Sequence, residues 1–328
     1  LNLYCLGEFM GKYILRRFWQ SIITVLIVLF VMFMLLRLMP KENYFTRDDY
    51  INMTEEDRTA YLRNLGVLDN PLVQFVRFLR GFVTGDLGRS ITVYPKTPIS
   101  EILKEKIPYS LWFGLVSVLL SVILGFLMGI GMANNKDKLG DQLGTMYVVA
   151  VRAIPSLVYL FLIQMWITHL FNLPMVFYED EPASWILPAI SLSLSGIAWY
   201  AIWLRRFMVD EENKDYIKFA IAKGLPRNYI MKRHVLRNAL VPLVQYLPSQ
   251  ILLTIAGSLI IESIYSIPGM GGLLVYAIRQ QDNTLVQALV CIYSILGVFG
   301  VFLGDILMAI VDPRIKLTSA KIEREVTA

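Results

Sequence analysis

Ionisable and strongly polar side chains are rare in the apolar parts of this chain, so each one found there is a candidate for chemistry or for a passage. Arg152 interrupts the otherwise uncharged run from Gln142 to Tyr178. A cation at the centre of a spanning helix costs about 2.5–3.5 kcal/mol on insertion scales. Either Arg152 faces the bundle interior or a watery cavity, or the span begins later and the side chain snorkels to the interface. Asp305 closes the run from Asn283 to Gly304 and is placed to pair with a basic residue. Gln250, Thr254 and Ser258 follow the spacing i, i+4, i+8, which puts three polar groups on one face of a helix. With Gln164 and Gln245 they are candidates for the lining of a pathway, or for hydrogen bonds between helices. No G-x-x-x-x-G-K-[ST], H-E-x-x-H or G-x-S-x-G occurs, and Cys5, Cys291, His169 and His234 form no cluster. No catalytic, cofactor-binding or metal-binding residues are therefore expected, and any energy for work must come from a partner.

Those residues need elements to hold them. The chain has 328 residues, of which 56% are hydrophobic and 17% charged. Soluble domains carry roughly a quarter charged residues. The shortfall is concentrated in long apolar runs, so the expected class is an all-α integral membrane protein. Two cysteines are too few for a disulfide framework. The net charge of +5 is read as a report of membrane orientation and not of nucleic-acid binding. Met10 opens MGKYILRRF, which reads as a natural start, so residues 1–9 are expected to be a leader or an alternative start.

Six runs are long enough to span. The expected order is an N-terminal cytoplasmic segment 1–17, span one 18–39, an external loop 40–106, span two 107–133, span three 142–170 and span four 183–206. A cytoplasmic segment 207–237, span five 238–261, an external short helix 262–282, span six 283–311 and a cytoplasmic tail 312–328 complete it. Arg205–Arg237 holds nine Lys or Arg, whereas Phe171–Glu181 holds none. The bias places the basic segment and both termini in the cytoplasm. Within 40–106, Thr54-Glu-Glu-Asp57 has the spacing of a capping box, and Asn70-Pro71 reads as a cap followed by a first-turn proline. Two or three short surface helices are expected there. Gly125, Gly129 and Gly131 suit close packing of span two.

Residues 217–243, IKFAIAKGLPRNYIMKRHVLRNALVPL, contain six cations and no acid. Ile217, Ala220, Ile221 and Gly224 share a helical face. Gly224 suits a helix stop and Pro226 the first turn of the next helix. The segment reads as helix, tight turn, helix, running directly into span five. Small residues on one face permit close approach of another protein's backbone; a solvated helix attracted to anionic lipid is the plainer reading.

This segment resembles the cytoplasmic coupling loop of ABC importer permeases, and more narrowly the first permease subunit of the oligopeptide/dipeptide family. KYILRRFWQSI near the N-terminus, FVTGDLGRSI at 82–91, IIESIYSIPGMGGLL at 260–274 and DILMAIVDPRIK at 305–316 are similar to that family's motifs, in the same order. The general pattern has Glu-Ala-Ala before the glycine; here Lys218, Phe219 and Ala220 stand in those places. The resemblance implies a type I ABC importer permease fold. It implies ATPase coupling through Lys218, Phe219, Ala220, Ala222, Lys223, Gly224, Leu225 and Pro226; the candidate pathway residues Arg152, Gln164, Gln250, Thr254 and Ser258 rest on their own chemistry, as above. It also implies a second homologous permease subunit, two cytosolic ATPase subunits that bind ATP and Mg, an extracellular solute-binding protein, and a prokaryotic plasma membrane. The expected cargo is di- or oligopeptides; nickel, glutathione or oligosaccharides are alternatives within the family. An ion-coupled secondary transporter is the rival from another class, and would need carboxylates near the midplane, where only Asp305 is marginally placed. A membrane scaffold or receptor is a further rival.

Overall fold

The computed structural model describes residues 3–38, 40–45 and 47–311. The tail 312–328, including the end of the DILMAIVDPRIK stretch, lies outside the described residues. Fifteen α-helices are described, and no strand occurs among the described residues beyond the isolated bridge Arg89–Pro98. The long helices are α1 (Leu3–Leu36), α5 (Ile99–Asn134), α8 (Ala183–Glu212) and α15 (Asn283–Val311). Between α1 and α5 lie α2 (Arg47–Asn52), α3 (Glu55–Asn64) and α4 (Pro71–Thr84). Then come α6 (Leu139–Ala153) and α7 (Ser156–Phe171) before α8, and α9 (Asp215–Ala222), α10 (Arg227–Ile230), α11 (Arg237–Val244) and α12 (Leu247–Leu253) after it. Short helices α13 (Leu259–Tyr265) and α14 (Gly271–Arg279) precede α15.

Ile14–Leu36 of α1, α5, α8 and α15 are each long and apolar enough to cross a bilayer. Two bent pairs can each supply one more crossing: α6 with α7, bent by 109°, and Arg227–Val244 with Leu247–Ala256, bent by 41°. Six spans result when each pair counts as one. Pro155 lies at the first break; it supplies no N–H to a continuing helix.

Several elements run past the bounds expected from hydropathy. α5 starts at Ile99 and not at 107, because Ile99, Ile102 and Leu103 are buried against α14 and the start of α15. α8 continues to Glu212, beyond 206, with Met208 and Glu211 buried on its last turns. The stretch 238–261 is divided among α11, α12, a 3₁₀ turn at Thr254–Ala256 and α13. The stretch 262–282 holds the end of α13 and all of α14 where one helix was expected.

In the 40–106 connection both cap signals are realised. Thr54 and Asp57 exchange side-chain and backbone hydrogen bonds, and Asn70 accepts from Leu72 N ahead of Pro71. α4 then leans on α1 through Phe75 and Phe78, which pack against Phe33.

The centre of the molecule is the α5–α8 pair. The two helices run parallel, with Ser121 donating to Ser193 O and the contacts continuing to Leu204. They touch closely because a Cβ at Gly125 would sit 2.7 Å from Tyr200 Cβ, and one at Gly129 would sit 2.8 Å from Ala201 O. Gly131, expected in the same role, has nothing within 4 Å. Around this pair, one core cluster joins α8 to α9, α10 and α11 through Leu204, Met208, Ile217, Ile230 and Leu243. A second cluster, at the other end, joins α5, α14 and α15. The basic segment and the 88–98 loop are thus held at opposite ends of one packed bundle.

Candidate functional site

Three residues chosen from the sequence meet at one place. Gln250 of α12, Thr254 of the 3₁₀ turn and Ser258 at the N-cap of α13 all line a cavity of about 220 Å³. They are not one helical stripe, since the chain breaks between them, yet they share this cavity. Its other wall is α5 and α8, which contribute Ser117, Ser121 and Tyr200. Tyr200 is 3% exposed, and its hydroxyl has no hydrogen-bond partner among the described residues. A polar cavity of this size admits several waters.

Glu262, 5% exposed on α13, also lines the cavity. Its Oε1 accepts from Ser110 Oγ at 2.8 Å and from Ser258 N at 3.1 Å, and its Oε2 accepts from Gly271 N at 2.6 Å. Ser110 Oγ in turn accepts from Met270 N at 2.7 Å. The carboxylate therefore ties α5, the turn before α13 and the N-terminus of α14 into one unit. The sequence marked this stretch only as a motif; the buried glutamate in it explains why the stretch is ordered.

The basic segment folds as a joint. Ile217 and Ala220 of α9 are buried in the core shared with α8 and α11. Gly224 takes φ +77°, a left-handed conformation in which a side chain is strained, and Pro226 precedes α10. From α10 the chain continues through a π-helical turn, Met231–Leu236, into α11. The small face expected to meet another protein is in part turned inward, because Ala220 packs on the subunit's own core. What faces outward is Phe219, Ile221, Leu225 and Tyr229, 69, 60, 37 and 49% exposed. Lys218, Ala222, Lys223, Gly224 and Pro226 are also exposed. Lys218 Nζ donates to Asp215 Oδ1 at 2.8 Å and holds that carboxyl below the usual range.

The joint is anchored by Glu211, 6% exposed near the end of α8. It accepts from the Tyr216 hydroxyl, from Asn238 Nδ2 at 3.0 Å and from Lys214 Nζ at 2.5 Å. Asn238 also donates to the Tyr216 hydroxyl at 2.7 Å. One carboxylate so links the last turn of α8, the start of α9 and the start of α11.

Comparison with known proteins bears on this arrangement. Residues 100–317 match the family described as binding-protein-dependent transport system inner membrane component, and residues 10–100 match its N-terminal companion family. This chain belongs to that family. The permease is 30% identical over 310 residues to the dipeptide transport system permease protein of Bacillus subtilis, covering 94% of this chain and 99% of the relative. It is 32% identical to the oligopeptide transport system permease protein AppB of the same organism, over 94% and 100% of the two chains. It is 30% identical to a glutathione transport system permease protein of Salmonella paratyphi A, over 94% and 99%. A solved structure described as a crystal structure of an amino acid ABC transporter with histidines shares the fold at TM-score 0.50, with 15% identity, covering 63% of this permease and 92% of that chain.

Other candidates in the permease lie away from the cavity. Gln164 is buried on α7, and its Nε2 donates to Met175 O at 2.7 Å and Ile264 O at 3.0 Å, so it ties α7 to α13. Gln245 donates to Asp305 Oδ1 at 3.0 Å. Asp305 also meets Arg17 at 3.4 Å, which supplies the basic partner that its position called for. Arg152 is exposed on the outer surface of the subunit, just before the break at Pro155. His169 lies beside Asn172 near the end of α7, in a separate surface pocket.

One residue that sequence reasoning passed over organises the opposite end. Asp282 is fully buried. Its Oδ2 accepts from Ser90 Oγ at 2.5 Å and from the backbone N–H groups of Ile91, Thr92 and Val93 at 2.9, 3.0 and 3.1 Å. Its Oδ1 accepts from Leu285 N at 3.1 Å, in the first turn of α15. Asp282 thus clasps the loop of the GDLGRS motif to the start of the last span. The signal available in the sequence was an acid directly ahead of an apolar run, which is a helix-start signal.

Proposed function

We propose that this permease is half of the transmembrane passage of an ATP-driven importer of di- or oligopeptides, and that it moves in response to ATPase subunits docked on the α9–α10 joint. The observation that carries the reading is the joint. It exposes Phe219, Ile221 and Leu225 outward, yet its inner face is continuous with the core of α8 and α11. A push on that outer patch is transmitted through packed side chains to the helices that wall the polar cavity. Cavity, joint and basic charge together favour a coupled passage over a scaffold.

In this reading the basic end is cytoplasmic, as are both termini, in keeping with the Lys/Arg bias. The chain hydrolyses nothing; ATP and Mg belong to two ATPase partners. A second homologous permease completes the passage, and an extracellular solute-binding protein delivers cargo to the end bearing the 88–98 loop. Peptide cargo is supported by the relatives named for dipeptide and oligopeptide transport, and glutathione, itself a tripeptide, fits the same class. Arg152 belongs to the passage or to the seam with the second permease. A cation beside a broken helix within a span is tolerated only where water or protein meets it. The test is substrate-stimulated ATP hydrolysis by the purified assembled complex. Replacing Phe219 by Asp is expected to abolish stimulation while the two permeases still copurify; undiminished stimulation would refute the docking site.

A further inference from the structure

A further pocket, of about 660 Å³, opens at the basic end beside the joint. Lys214, Arg233, His234 and Arg237 line one side. Val241 of α11 and Ile310 and Val311 of α15 line another, the last two 58% and 41% exposed. The acid in the pocket, Glu211, is already met by Lys214, Tyr216 and Asn238. Arg233 and Arg237 have no ion-pair partner among the described residues. Positive charge is thus left over next to an apolar wall that ends a spanning helix.

We propose that this pocket holds the headgroup of an anionic phospholipid, with its acyl chains along Val241, Ile310 and Val311. Arginine forks suit a phosphodiester, and basic pockets between spanning helices bind such headgroups. A soluble anion would have no use for the apolar wall. The lipid bridges the start of α9, the π-helical turn and the end of α15, and therefore stiffens the joint between ATPase and cavity. Its placement in the cytoplasmic leaflet rests on the orientation proposed above; the pocket itself does not.

The test uses the purified assembled complex in nanodiscs of phosphatidylcholine, with or without phosphatidylglycerol. Retained lipid is read by native mass spectrometry, and coupling by substrate-stimulated ATP hydrolysis. The unaltered complex is expected to retain phosphatidylglycerol and to be stimulated more strongly in its presence. A cation near an anionic surface is worth about fivefold in binding, so Arg233→Ala with Arg237→Ala should weaken retention about 30-fold. That variant should also lose the lipid dependence of hydrolysis. Arg233→Lys with Arg237→Lys should keep most of both, and Lys232→Ala, an exposed cation outside the pocket, should keep both. Equal retention of the two lipids, or displacement of phosphatidylglycerol by millimolar inorganic phosphate alone, would overturn the proposal. Lipid retention that survives while stimulation fails in every lipid would fault the coupling reading and leave the pocket standing.

Discussion

Glu262 is a buried carboxylate whose partners are a hydroxyl and two backbone amides. Removing it leaves those donors without an acceptor, at about 1–3 kcal/mol for each buried group so stranded. Glu262→Ala is therefore expected to lower the thermal midpoint of the detergent-purified subunit by several degrees, and Ser110→Ala to lower it less. Equal midpoints for all three proteins would mean that the carboxylate is not what holds α13 and α14. Arg152 makes the opposite prediction. It is exposed on the subunit, so Arg152→Leu should insert and fold normally but change uptake, most of all between acidic and basic peptides, measured by competition with a labelled peptide. Unchanged uptake of every peptide would make it a surface cation at the bilayer edge. Among single residues, Asp305 was legible, because charge in an apolar run is conspicuous and calls for a partner, which Arg17 supplies. Glu262 and Asp282 were not, because each sits at the edge of a run, where an acid looks solvated until the chain folds over it.

At the scale of elements, the joint is the part that the sequence described best. Glycine followed by proline marks a turn by local backbone rules alone, and Gly224 indeed has φ +77° with nothing within 4 Å of a built Cβ. Steric room within the subunit means that a substitution there acts through backbone strain, about 1–3 kcal/mol. Gly224→Val should accordingly leave insertion and pairing intact but reduce substrate-stimulated ATP hydrolysis sharply. Lys218→Ala, which removes only an exposed pair with Asp215, should do much less. Full stimulation by the valine variant would show that the turn has no part in coupling. Span five was less legible. Its polar stripe was read from ideal helical spacing, whereas the chain bends and changes helix type between Gln250 and Ser258. Those residues face one cavity because α5 and α8 close over them, which is a tertiary fact that periodicity does not contain. The inward turn of Ala220 is another such fact.

For the whole molecule, six apolar passages follow from length and hydropathy, and the family match agrees with an inner membrane protein. Orientation is a prediction of the charge bias. A cysteine at position 60, on α3, should react with impermeant reagents applied from outside, while one at position 214 should not; the reverse labelling would invert the topology. The clasp at Asp282 adds a question of timing. Ser90 and Asp282 are 192 positions apart in sequence, and the carboxylate accepts from both the early loop and the late helix. At a synthesis rate of about 5–20 residues per second, the loop waits about 10–40 s after its own emergence before its acceptor exists. A nascent chain stopped short of position 282 should thus be cut by protease within 88–98, and the full chain should resist. Biogenesis of this subunit ends with a latch, and quality control has a simple feature to inspect: whether that loop is still open.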